Sequence, residues 1–259
     1  MNINSWKGTV AVAAILCGVC SVVVSLSAIS LRPMQEENKI LDVKKNLLLS
    51  DGLLKNAKAS KEEILKIFEN IETKLVDLKT GQFVTDIKPE SYDSRAAAKD
   101  PKRNIQIPSN LDLGKNKMRA KYGKVYFVKK DGKVTSLVLP VHGKGLWSTL
   151  YGFLALDKDT RTVKGFGFYE HAETPGLGGE VDNPNWKAQW IGKIVSDKNF
   201  KPFVQVKKNV DPKSEEGKRT VDGISGSTIT GRGVQNLLNY WLGNHGYGPF
   251  LAQFRKGGA

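Results

Sequence analysis

Cysteine is nearly missing from these 259 residues: Cys17 and Cys20 are the two present, and both lie in one apolar run near the N-terminus. A disulfide framework for the rest of the chain is thereby excluded, as is a thiolate metal site outside that run. On an apolar helix without a third or fourth ligand, the Cys-x-x-Cys spacing reads as small packing side chains. Neither cysteine suits a lipoprotein site, because Leu16 and Val19 precede them where a small residue is expected. Histidine is scarce too. His142, His171 and His245 form no His-Glu-x-x-His pattern, so no metal centre is expected. No Gly-x-Gly-x-x-Gly follows a predicted strand and no loop ends in Gly-Lys-Ser/Thr, which removes the dinucleotide fold and the P-loop. Internal repeats and low-complexity segments are absent. Acidic residues are in deficit: 26 Asp+Glu face 40 Lys+Arg, a formal +14. Such an excess points to phosphates, with nucleic acid as the first thought.

The N-terminus argues for another environment. From Thr9 to Leu31, 23 residues carry no charge, and at 1.5 Å per residue they match a bilayer core. Lys7 precedes the run and Arg32-Pro33 closes it. A cleaved signal peptide has a shorter apolar region, about 7–15 residues, although Ser25-Leu-Ser27 resembles a cleavage site. The expectation is an uncleaved transmembrane helix over 9–31, after a cytoplasmic tail of residues 1–8. Basic residues at the two ends, Lys7 against Arg32, Lys39, Lys44 and Lys45, mildly disfavour export of the domain. Large domains nevertheless translocate largely regardless of charge.

Residues 32–81 read as a juxtamembrane helical segment. Ser60-Lys-Glu-Glu63 is a capping box, and Ile64, Ile67, Phe68, Ile71, Leu75 and Leu78 follow at helical spacing up to Gly81. Residues 91–124 read as loop with broken strand. Their basic residues, Lys99 to Lys124 with Arg119 among them, are not interleaved with aromatics between Tyr92 and Tyr122. Single-strand nucleic-acid binding is therefore poorly supported, and a solvated basic face is expected. Two hairpins follow: Val125–Val128 with Val134–Leu139, and Tyr151–Leu156 with Val163–Tyr169. A short helix over Asn183–Trp190, a strand over Phe203–Val206 and a helix over Gly231–Leu242 complete the pattern. Without regular βαβ alternation, residues 82–259 are expected to form an α+β domain with an antiparallel sheet and flanking helices.

Three segments carry candidate chemistry. Asp222-Gly-Ile-Ser-Gly-Ser-Thr-Ile-Thr-Gly-Arg-Gly-Val234 is a glycine- and hydroxyl-rich loop entering a helix. Free amides and the helix dipole favour a phosphate there. Ser225, Ser227, Thr228 and Thr230 offer hydroxyls, and Gly226 lets the backbone approach a bulky group. A plain hydroxyl-capped helix explains the same residues equally well. His171-Ala-Glu-Thr-Pro-Gly-Leu-Gly-Gly-Glu180 is a tight turn able to lie against a planar ligand, or an ordinary bulge. In Gly143-Lys-Gly-Leu-Trp-Ser-Thr149, Trp147 is suited to cover a ring or to fill the core.

Together the three resemble one family. Asp222-Gly-Ile-Ser-Gly-Ser-Thr228 resembles the flavinylation motif of membrane electron-transport flavoproteins, and His171-x-Glu173-Thr-Pro-Gly-Leu-Gly178 resembles the second signature of that FMN-binding domain. With Gly143–Ser148 and the single anchor, the resemblance extends over the chain to the C subunits of bacterial sodium-translocating NADH:quinone reductases. It implies FMN joined by a phosphoester to Thr228, with Asp222, Ser225, Gly226, Ser227, Thr230, His171, Glu173, Thr174, Gly176, Leu177, Gly178 and Trp147 around it. It also implies an electron relay with no catalytic residue or NADH site of its own, a periplasmic domain on a bacterial inner membrane, companion subunits, lipid, and a flavin transferase reading Asp222. Ser227 departs from the family's usual alanine and adds a hydroxyl beside the acceptor. The related subunit of the ferredoxin:NAD electron-transport complex shares both motifs and is the first alternative. An anchored module holding a free anion is the second.

Overall fold

A computed structural model describes residues 5–54, 59–211 and 213–257. Two compact units divide the chain, Met1–Val43 and Lys44–Ala259. The first consists of the helix α1 (Trp6–Asp51) up to its residue 43. The Trp6–Gln35 stretch of α1 is long and apolar enough to cross a membrane. The helix does not stop at Arg32-Pro33 as expected but continues through Pro33. Proline removes one backbone hydrogen bond, a loss that a long helix absorbs locally.

The second unit opens with the last turns of α1, where Leu47 and Leu48 are 1% and 0% exposed. Helix α2 (Lys61–Phe68) starts as its capping box predicts, with the Ser60 hydroxyl accepting from the Glu63 amide at 3.2 Å. It ends ten residues before Leu78. Ile71 and Leu75, read above as helical, lie in strand β1 (Ile71–Asp77), which sits inside the sheet rather than in a juxtamembrane segment. The error has a geometric cause: a spacing of four residues keeps side chains on one face of a helix and equally on one face of a strand. The compact unit accordingly starts well before residue 82.

Six antiparallel strands form the main sheet in the order β2-β1-β5-β6-β7-β8, from β2 (Phe83–Val84), β5 (Tyr122–Lys130), β6 (Lys133–Lys144), β7 (Thr149–Asp157) and β8 (Val163–Glu170). Between β2 and β5 lie the unexpected helix α3 (Ser94–Lys99), capped by Asp93, and the two-stranded pair β3 (Asn104–Gln106) and β4 (Met118–Ala120). Arg119 is not part of a solvated basic face. It is 3% exposed and donates to the carbonyl of Ala120 at 2.9 Å.

After β8 come α4 (Pro184–Ala188), the short parallel pair β9 (Gln205–Val206) and β10 (Thr220–Val221), then α5 (Thr228–Leu242) and α6 (Gly248–Arg255). Helix α5 lays Val234, Leu237, Leu238, Trp241 and Leu242 against the sheet in one core with Leu137, Leu139, Val141, Leu154 and Phe250. Its approach to β6 is close because two glycines allow it. A Cβ on Gly143 would sit 2.6 Å from Leu237 Cβ, and one on Gly233 would sit 2.4 Å from the carbonyl oxygen of Lys144. The Trp241 indole N–H ties the two elements by donating to the His142 carbonyl at 2.6 Å. That crossing carries the N-terminal end of α5 to the loop between β6 and β7.

Candidate functional site

The three glycine-rich segments converge on one carboxylate. Glu173, 5% exposed, accepts from the backbone amides of Leu146 (3.1 Å), Trp147 (3.0 Å) and Ser148 (2.9 Å). It also accepts from the Ser148 hydroxyl at 2.9 Å and from the Thr230 hydroxyl at 2.7 Å. One acid on the loop after β8 therefore holds the β6–β7 loop and the first turn of α5 together. Burial pushes its carboxyl up, but the Thr230 and Ser148 bonds outweigh burial and hold it below the ordinary glutamate value. Space for the carboxylate is made by two glycines: a Cβ on Gly145 or Gly178 would lie 2.7 or 2.8 Å from its oxygens.

Around this centre the expected site residues separate by exposure. Thr230 is fully buried, and Ser227, 5% exposed, has its hydroxyl 3.3 Å from that of Thr230. Both hydroxyls are engaged inside the protein. Thr228 and Ser225 are exposed. Thr228 is the first residue of α5, ahead of the first helical bond from Gly231 N–H to the Ser227 carbonyl, so the amides around it face outward from the helix end. The helix thus begins three residues before Gly231. Lys208 reaches over the loop, its Nζ donating to the Ser225 hydroxyl at 3.3 Å.

His171 joins the centre indirectly. Its Nε2 lies 2.7 Å from Asp182 Oδ2, and its Nδ1 accepts from the Glu173 amide at 3.2 Å. Asp182 also pairs with Lys187 at 2.9 Å. The carbonyl of Thr174 accepts from the amides of Leu177 and Gly179, closing the turn whose Gly176 has φ +74°. Thr174 itself is exposed. Leu177 packs over Gly226, also at φ +74°, where a Cβ would meet Leu177 Cδ2 at 3.0 Å. Trp147 is 71% exposed and does not fill the core; Leu146, Leu177 and Ile229 are likewise exposed apolar side chains on the same three segments. Asp222, exposed, is braced by α4 and the residue after it: the Trp186 indole donates to its carbonyl at 2.9 Å, and Gln189 accepts from its amide at 3.0 Å. Trp186, Gln189, Gly176, Ile224 and Ser225 line a cavity of about 410 Å³.

Sequence reasoning missed Ser148, Asp182, Lys208 and the α4 braces as parts of this arrangement. Ser148 alone had a usable signal, as a hydroxyl in the same short segment as Trp147. The others are joined to the site only by tertiary contacts.

The donor set fits FMN. An exposed hydroxyl stands at the start of a 15-residue helix, a lysine bonds Ser225 in the loop before it, and two left-handed glycines and four exposed apolar side chains lie on the same segments. The first group suits a phosphate and the second a flat ring.

Comparison with known proteins agrees. The FMN-binding domain family matches residues 145–243. The chain is 48% identical over 259 residues to the C subunit of the Na(+)-translocating NADH-quinone reductase of Pseudomonas aeruginosa, covering 100% of this chain and 99% of that one. It is 44% identical to the protein of the same name from Vibrio parahaemolyticus, covering 99% and 98%. The crystal structure of Shewanella oneidensis NqrC superposes with a TM-score of 0.75 at 35% identity, covering 82% of this chain and 96% of that one.

Proposed function

The chain belongs to the family of C subunits of the Na(+)-translocating NADH-quinone reductase, and on that premise we propose that it is a membrane-anchored electron-transfer subunit of such a complex, bearing FMN as a phosphoester on Thr228. FMN, when bound, supplies reversible one- and two-electron chemistry. The protein's part is to hold it and to leave it accessible to partners.

One observation carries the choice of Thr228. Of the hydroxyls at positions 227, 228 and 230, those of Ser227 and Thr230 are buried in the Glu173 arrangement, and Thr228 faces solvent at the helix N-terminus. A phosphate there meets outward amides and the positive end of the α5 dipole. Lys208, bonded to Ser225, adds a cation to the loop that leads into Thr228. Trp147, Leu146, Leu177 and Ile229 supply apolar surface for the ring. Glu173 orients the chemistry without touching it, by fixing the loop of Trp147 and the first turn of α5 in one geometry.

A covalent tether suits a domain placed in the periplasm, where a lost flavin is not replaced. We therefore assign the domain to that side of the inner membrane and its loading to a flavin transferase that reads the Asp222–Thr228 segment. NADH binds on another subunit, and the basic surface faces anionic lipid and companion subunits.

The test is the full chain produced in a flavinylating host. A Thr228 peptide heavier by FMN less one water, and in-gel flavin fluorescence that survives denaturation, are expected. Thr228→Ala abolishes both, while Ser225→Ala, which removes the other exposed hydroxyl, retains them. Fluorescence that persists in Thr228→Ala would overturn the residue assignment, and its absence from the unsubstituted chain would overturn the tether.

A further inference from the structure

A second cavity, about 740 Å³, opens farther along α5 and is walled by α6, the loop around 195–202 and Thr160 in the β7–β8 turn. Gln235, at its near edge, is seven residues past Thr228, about 10 Å along the helix axis. Among the described residues that line it, none is an aspartate or glutamate, whereas Lys201 and Arg255 are cations and Asn199, Asn236 and Asn244 carry amides.

Two guanidiniums meet here with no acid between them among the described residues. Arg255 stacks 3.7 Å from the centre of the Phe200 ring and donates to the Thr160 hydroxyl at 2.8 Å. Arg161 lies 5.4 Å from the same ring and donates to the Ser196 carbonyl at 3.1 Å. Burial, and then repulsion by Arg161, hold the Arg255 pKa below its usual value. The nearby acids are engaged elsewhere: Asp159 accepts from the amides of Arg161 and Thr162 and from the Thr162 hydroxyl, and Asp197 accepts from the amides of Asn199 and Lys201.

We propose that this cleft binds a phosphate-bearing anion, with Arg255 and Lys201 holding its charge and the amides of Asn199, Asn236 and Asn244 donating to its oxygens. A guanidinium, an ammonium and three side-chain amides offer more donors than one carboxylate can accept, which matches a tetrahedral oxyanion. The volume exceeds that of phosphate alone, and Phe200, Leu113 and Leu251 provide an apolar wall for an organic substituent. Such a ligand has two sources, a soluble phosphate ester or a phospholipid headgroup.

Calorimetric titration of the flavin-loaded full chain in neutral detergent tests the proposal. Glycerol 3-phosphate represents the soluble source. Dihexanoyl-phosphatidylglycerol below its micelle concentration represents the lipid, with dihexanoyl-phosphatidylcholine as the comparison. Saturable binding of either anionic probe is expected, weakened about tenfold by Lys201→Gln or Arg255→Gln and unchanged by Lys130→Gln, which does not line the cavity. Lys201 is exposed, so its substitution keeps the fold even if Arg255→Gln does not. Preference for one probe identifies the source. No saturable binding of either probe, equal binding of the phosphatidylcholine, or an affinity unchanged in Lys201→Gln would overturn the proposal.

Discussion

The Thr230 hydroxyl donates to the Glu173 carboxylate at 2.7 Å across 57 residues of sequence, and this bond fixes the start of α5 against the loop that carries Trp147. Five donors on one carboxylate make it the point on which the three glycine-rich segments depend.

Glu173→Gln keeps the shape and loses the match, because an NH₂ group then faces donors. The cost is about 2–3 kcal/mol, or a fall in Tm of roughly 4–12 °C for a unit of this size. The pH dependence has a definite sign. The folded carboxyl titrates below the 4.5 of an ordinary glutamate, so its stabilisation is complete above pH 4.5 and is lost as pH falls through the lower folded value. Thermal unfolding of the two proteins from pH 7 to 3 should show a gap that closes only below pH 4.5.

Ser227→Ala separates packing from chemistry. The Ser227 hydroxyl makes a long 3.3 Å contact to Thr230 inside the protein, so alanine should change stability by less than about 1 kcal/mol. Covalent flavin should be retained in full by in-gel fluorescence. Gly178→Ala, one loop away, should behave oppositely. Its Cβ would press within 2.7 Å of the Thr230 hydroxyl and 2.8 Å of Glu173, costing about 1–3 kcal/mol in thermal unfolding.

The hairpins were legible in the sequence because alternation and turn chemistry agree: Asp131 and Gly132 take φ of 52° and 73° between β5 and β6, as an Asp-Gly turn requires. Strand β1 was not, since Ile71 and Leu75 satisfy both periods and only its β5 and β2 neighbours decide between them. The site was legible as residue types. Its wiring was not: Ser148 and Thr230 lie 25 and 57 residues from Glu173, and nothing local says which hydroxyl turns inward. The start of α5 was placed three residues late because Thr228, Ile229 and Thr230 read as part of the loop. Gly233 lies within the helix, where its missing Cβ lets the Lys144 backbone approach.

His142 should dominate a different pH window. Its ring lies 5.4 Å from that of Tyr151 and 4.7 Å from that of Trp241; burial, then Arg95, push its pKa down to about 4. The unfolded chain, titrating near 6.5, takes up the proton first. Stability is therefore full above pH 6.5 and falls by about 1.4 kcal/mol per unit as pH drops towards 4. Comparison of wild type with His142→Gln in denaturant melts should show the wild-type advantage shrinking between pH 6.5 and 4, above the window assigned to Glu173.

Asp51 should be a liability. At the end of α1 its side chain is fully buried, neither oxygen has a hydrogen-bond partner among the described residues, and Lys164 approaches only to 3.7 Å. The docking is otherwise tight: a Cβ on Gly165 would sit 1.9 Å from the Ser50 carbonyl oxygen, and Leu48, two residues before Ser50, is fully buried. Burial raises the Asp51 pKa above 3.8, and the neighbouring Ser136 hydroxyl and Lys164 ammonium reduce the shift without cancelling it. A raised acid pKa means that the folded state disfavours the charged form, so the penalty is present above the folded pKa and disappears as pH falls below 3.8. Asp51→Asn removes the charge and keeps the volume, and should raise the Tm of the domain at pH 7 with no gain at pH 3.5. A lowered Tm at pH 7 would mean that the ion pair with Lys164 outweighs the desolvation it requires.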